Sequence, residues 1–173
     1  MKALVVVDVQ VGKFGEGNSA IKNEKQLLET INGLITKARE KHVAVVFTQH
    51  ESNKGNGMER LSGAWKLHPD LLVNREKDLF LGKRYDSAFH ETGLAEKLRN
   101  WGVGEVVVCG VCTEYQIDAT VRHGFAKDFK MVLVADAHST KNYNGMDAQF
   151  FIEHHNRVLA NYATLTLANE LLF

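Results

Sequence analysis

Proline is almost absent from this sequence, cysteine is scarce, and neither charge sign dominates: Pro69 is the single proline, Cys109 and Cys112 are the only cysteines, and 21 Lys and Arg balance 21 Asp and Glu in 173 residues. Each shortage removes a class of protein. Two cysteines three apart make no disulfide framework, and a redox C-x-x-C opens a helix rather than ending a strand, so reduced thiols are expected. Without a net field the chain has no electrostatic reason to bind nucleic acid or an anionic membrane. No apolar run reaches membrane-spanning length, and the one after Met1 meets Asp8 too soon for a signal segment, so a cytoplasmic protein is expected. Repeats, low-complexity tracts and Pro/Ser-rich linkers are also missing, and Pro69 lies in a stretch that reads as loop, which predicts a single domain over 1–173. A composition of 45% hydrophobic and 24% charged residues suits one buried core.

What is present is an alternation of two patterns. Continuous apolar, β-branched runs at 3–9, 43–48, 106–109 and 131–135, with weaker ones near Leu79 and at 163–167, suit strands buried on both faces. Between the first two, Leu27, Leu28, Ile31, Leu34, Ile35 and Ala38 recur at helical spacing. Further helices are predicted at about 92–101, 113–127 and 146–161. Strand and helix therefore alternate, which predicts a three-layer, Rossmann-like α/β fold: a doubly wound parallel sheet of about six strands with helices on both faces.

Such sheets bind ligands outside the carboxyl ends of their strands, so the strand-ending residues carry the functional reading. They are polar: Asp8 and Gln10 after the first strand, Gln49, His50 and Glu51 after the second, Lys83 and Arg84 after the third, Cys112, Thr113 and Glu114 after the fourth, Asp136 after the fifth. Polar residues also begin ordinary loops, which suffices for His50, Glu51 or Asp136 taken singly. Asp8, directly after four apolar strand residues, needs a partner such as a lysine. Nucleotide-binding glycine motifs and a G-x-S-x-G elbow are absent, and the adjacent His154 and His155 point too far apart on a helix to chelate one metal.

Three stretches taken in order then resemble one family. Leu4-Val5-Val6-Val7-Asp8-Val9-Gln10, Lys83-Arg84-Tyr85-Asp86-Ser87-Ala88-Phe89, and Val106-Val107-Val108-Cys109-Gly110-Val111-Cys112-Thr113-Glu114-Tyr115 are similar to the isochorismatase-like (cysteine hydrolase) family. Gly63-Ala64-Trp65-Lys66-Leu67-His68-Pro69 and Val134-Ala135-Asp136-Ala137 resemble its loop before the third strand and the end of its fifth. The resemblance implies a catalytic aspartate, lysine and cysteine, matched here by Asp8 and Lys83. The family's nucleophile lies three residues after the threonine, and that place holds Gln116, whose amide is no practical nucleophile.

Two thiols remain. Cys109, inside an apolar strand, reads as structural. Cys112, one helical turn before Gln116, is either a small packed cysteine or a displaced nucleophile whose thiolate is favoured by a helix N-terminus and Lys83. In the latter case backbone N–H groups at 111–113 would form the oxyanion site. Three functions are then open: hydrolysis of a small amide, imide or nitrile through Cys112; hydrolysis of a vinyl ether with Asp8 as acid and water as nucleophile; or a degenerate member that binds a small ligand without turnover. Gln10, Phe14, Gln49, His50, Trp65, Tyr115 and Gln116 are the candidate substrate-binding residues. The resemblance implies no cofactor and no catalytic zinc, because the second strand is followed by Gln49-His50-Glu51 rather than Asp-x-His. It further implies a small-molecule substrate and a homo-oligomer (dimer or higher), for which the helix bearing Phe150, Phe151 and Ile152 offers apolar side chains.

Overall fold

The computed structural model describes residues 1–173, apart from the side chain of Asn18. Six strands form one parallel sheet: β1 (Lys2–Val7), β2 (Ala44–His50), β3 (Leu79–Lys83), β4 (Glu105–Val111), β5 (Lys130–Ser139) and β6 (Thr164–Thr166), in the spatial order β3-β2-β1-β4-β5-β6. The helices are α1 (Glu24–Glu40), α2 (Leu94–Asn100), α3 (Asp118–Ala126) and α4 (Ala148–Leu159). The chain winds outward from β1 on one side and from β4 on the other, so the direction of travel reverses between these two strands. That reversal opens a crevice at their carboxyl ends.

Alternation along the strands splits the apolar side chains between two cores. Leu4, Val6, Phe47, Val107, Cys109 and Val134 face α1, where Leu27, Leu28, Ile31, Leu34, Ile35 and Ala38 form the covering stripe. Ala3, Val5, Val7, Val46, Val106 and Leu133 face Leu94 and Leu98 of α2, Val121 of α3 and Leu159 of α4. Each such large side chain contributes roughly 1.5–3 kcal/mol by burial.

Register delivers the crevice residues. Val6 pairs with Phe47 and Val7 with Gly110, so Asp8 emerges beside Thr48 on one side and Val111 and Cys112 on the other. His50 pairs with Lys83, which brings the lysine to the same edge. Gly110 has φ +126°, and a Cβ there would collide with the Val7 backbone. β1 and β4 approach this closely only because position 110 has no side chain.

The fifth strand departs from expectation. It continues past Asp136 to Ser139, pairing His138 with Gly110 and Ser139 with Val111 after a bulge. Asp136 is thus exposed within the strand rather than at its end, and its Oδ1 accepts from the Ala168 N–H at 2.8 Å. No helix among the described residues is long and apolar enough to cross a membrane.

Candidate active site

β1 ends because Asp8 turns into the left-handed region at φ +49°, with the Gln10 N–H closing back on the Asp8 carbonyl at 2.8 Å. Such a backbone is uncommon outside glycine and concentrates at functional sites. The turn aims the carboxylate into the crevice. Thr48 Oγ1 donates to Asp8 Oδ1 at 2.6 Å while accepting the Asp8 N–H at 3.1 Å, and Lys83 Nζ donates to Asp8 Oδ2 at 2.6 Å. Both side chains of the ion pair are 0% exposed. Lys83 spends its other two protons on the Tyr85 and Asp86 carbonyls, each at 3.0 Å. Burial lowers the basicity of Lys83 and Asp8 opposes that shift. With all three protons committed, Lys83 positions Asp8 rather than donating to a substrate, whereas each Asp8 oxygen retains acceptor capacity.

Gln116 sits where the resemblance places the nucleophile. It belongs to a single π-helical turn, Thr113–Ile117, that joins β4 to α3. Its Oε1 accepts the Cys112 N–H at 2.9 Å and its Nε2 donates to Asp86 Oδ1 at 2.6 Å. The hydrogen-bond chain is therefore continuous from Asp8 through Lys83 and Asp86 to Gln116 and the Cys112 backbone.

Cys112 is not the activated thiol that a helix N-terminus and Lys83 would have made. Its backbone is extended (φ −95°, ψ 151°), so the helical turn starts after it. Its side chain joins the apolar cluster that contains Val9, Val111 and Ala137. Burial pushes the thiol up; Lys13 opposes, Glu114 adds to the rise, and Lys83 is not among its charged influences. The N–H group assigned to an oxyanion site is occupied by Gln116. Cys109 is a core residue, fully buried, with its thiol also pushed up by burial.

The remaining predicted residues divide into scaffold and rim. Gln10 is fully buried and committed: its Nε2 donates to the His50 and Trp65 carbonyls at 3.1 and 2.8 Å, and its Oε1 accepts the His50 N–H at 2.8 Å. Gln49 Nε2 also donates to the Trp65 carbonyl, at 3.1 Å. These glutamines tie the loop at 64–67 to β1 and β2 rather than reaching for substrate. Phe14 packs against His68, ring centroids 4.9 Å apart, and against the α1-side core. His50 does adjoin the site: burial lowers its pKa, the Lys83 charge adding to that and Asp8 opposing, which favours neutral imidazole. Its Nδ1 and the Trp65 Nε1 are buried without hydrogen-bond partners. Tyr115 is half exposed at the rim. No group of three or more His, Cys, Asp or Glu placed to hold a metal occurs among the described residues.

Sequence reasoning passed over Thr48, Asp86 and His138. The first is concealed in an apolar strand; the second lies three residues after Lys83, within the stretch that carries the resemblance. His138 is 3% exposed and braces the π-helical turn. Asn156 Nδ2 donates to the Ala135 carbonyl at 3.2 Å, so its Oδ1 accepts from His138 Nε2 at 2.9 Å. His138 Nδ1 is then free to accept from the Thr113 hydroxyl at 2.9 Å.

A parallel sheet of this winding with a sealed aspartate–lysine pair at its switch point defines an α/β hydrolase plan. The family model described as Isochorismatase domain matches residues 2–166, and the chain belongs to that family. A Streptothricin hydrolase of Streptomyces noursei is 33% identical over 140 residues, 81% of this chain and 50% of that protein; the chain spans 55% of a second one. Nicotinamidase 3 of Arabidopsis thaliana is 29% identical over 155 residues, covering 81% of this chain and 74% of that one. A solved structure, the crystal structure of an Isochorismatase family protein, is 25% identical and superposes with a TM-score of 0.89 over 95% of this chain and 97% of the other.

Proposed function

We propose that the protein hydrolyses a small amide or imide with water as the nucleophile, Asp8 accepting the proton of the attacking water and returning it to the leaving nitrogen. The observation that carries this reading is the Gln116 carboxamide itself. It rests its carbonyl oxygen on the Cys112 N–H and its NH2 on Asp86, the contacts a substrate carboxamide would make if it displaced that side chain. Water adds to the carbonyl carbon, the resulting oxyanion takes the Cys112 N–H, and the C–N bond breaks as nitrogen gains its proton. Similarity to a protein named nicotinamidase supports an amide over other bonds. A nitrile would need the activated thiol that Cys112 does not supply. A vinyl ether would need Asp8 to arrive protonated while Thr48 and Lys83 both donate to it.

A second reading keeps the pocket without turnover, favoured by Gln116 satisfying the crevice from within. One experiment separates the two: hydrolysis of a panel of small amides, imides, nitriles and vinyl ethers by wild type and Asp8→Asn. The amide reading expects turnover of carbonyl substrates that falls at least about a hundredfold in Asp8→Asn, the scale of a lost general base. Binding without hydrolysis across the panel supports the second reading instead.

A further inference from the structure

The charges that line the crevice do not cancel, and the surplus lies on one side chain. Lys13 ends the short turn Val11–Lys13 that comes directly after Gln10. The turn is held rigidly: Lys13 N–H donates to the Gln10 carbonyl at 2.9 Å, Val11 N–H to Lys66 at 2.9 Å and Gly12 N–H to Ala64 at 2.8 Å. A Cβ on Gly12 would meet Ala64 Cβ at 2.9 Å, so this turn and the loop bearing Trp65 lie in close contact. Lys13 is half-buried, yet none of the ion pairs within 4.0 Å among the described residues includes it.

Its ammonium faces the crevice. His50, Lys83 and Cys112, three groups from three different strand ends, are each shifted first by burial and also by the Lys13 charge. The acids nearby are committed: Asp8 to Lys83 and Thr48, Asp86 Oδ1 to the Gln116 amide. Glu114 and Lys141, both felt at Cys112, offset one another in sign. What remains is one uncompensated positive charge beside the catalytic carboxylate. The Trp65 Nε1–H, a buried donor without a partner, is carried by the loop paired with the Lys13 turn. An unpaired ammonium and an unpaired N–H donor on adjoining segments suit an anion with oxygen acceptors.

We propose that the substrate is a small amide that also carries a carboxylate, and that Lys13 is the residue that reads that carboxylate. The inference rests on the Asp8 crevice being the substrate site and deepens the amide reading. It places selectivity in a residue outside the proton-transfer machinery.

The test is binding, which does not depend on turnover. Two matched pairs of probes, malonamate with malonamide and succinamate with succinamide, differ only in replacing a carboxylate by a neutral amide. Their dissociation constants are measured by protein-observed NMR for wild type, Lys13→Met and Lys13→Arg. At least one pair is expected to favour the carboxylate by about tenfold or more in wild type, the size of one charge-assisted hydrogen bond. That preference disappears in Lys13→Met, persists in Lys13→Arg and shrinks as salt rises. Equal binding within both pairs, no binding by any probe, or a preference that survives Lys13→Met overturns the proposal. Carboxylate-selective binding without hydrolysis would sink the catalytic reading alone, while hydrolysis without carboxylate preference would sink this one alone.

Discussion

At the scale of single residues, the site is a problem in buried polarity solved by complete pairing. Asp8 and Lys83 lie beyond solvent, where an unpartnered charge costs several kcal/mol, and Thr48, Tyr85 and Asp86 supply the remaining contacts. His138 solves a similar problem in the neutral form. Burial holds its pKa at about 4 against an ordinary 6.5, with the Asn156 contact opposing that shift. Because the folded-state pKa is depressed, the unfolded chain binds the extra proton first. Stability associated with His138 is therefore complete above 6.5 and declines as pH falls toward about 4. The full decline is roughly 3 kcal/mol. Chemical denaturation across this window should show a steeper loss for wild type than for His138→Gln, which has no proton to take up. Identical slopes would remove the histidine from the account.

At the scale of elements, the decisive feature is the close approach of β1 and β4 and the residue with which each leaves the sheet. Gly110 lets the two backbones meet, and Asp8 and Cys112 then emerge side by side. Gly110→Ala forces a methyl group into the Val7 backbone at a φ that disfavours any Cβ. It should cost about 3 kcal/mol or more in a urea titration. A change within experimental error would mean that the strands separate easily and that the register is not what holds the site.

The same elements show why some of the structure was legible and some was not. β1, β2 and β4 were readable because burial on both faces demands unbroken apolar runs. The end of β5 was not: Asp136, His138 and Ser139 are polar, yet the bulge lets the strand continue, sending His138 inward to Thr113 and leaving Asp136 exposed. Likewise, Asp8 could be seen to need a cation because its place after four apolar residues is a one-dimensional fact. That Gln116 would occupy the Cys112 N–H depends on a π-helical turn aiming its side chain backwards, which no spacing rule encodes. Cys112 misled for the same reason, since its reactivity turns on whether the helix begins at 112 or at 113.

At the scale of the whole molecule, the fold presents one polar crevice where the winding of the sheet reverses, and a fixed network fills it from Asp8 to Gln116. Covalent hydrolases need an activated nucleophile and a free oxyanion donor. Here the nucleophile's position holds a carboxamide, the neighbouring thiol is buried and less acidic than usual, and the oxyanion N–H is capped. The central claim is thus that proton transfer at Asp8, without a thiol ester, carries the reaction. The most direct measurement is the rate of hydrolysis of the best amide substrate by Cys112→Ala relative to wild type. The account predicts a rate within an order of magnitude of wild type, since the thiol only packs. A fall on the order of 10³-fold or more in a folded variant, the signature of a lost nucleophile, would contradict it.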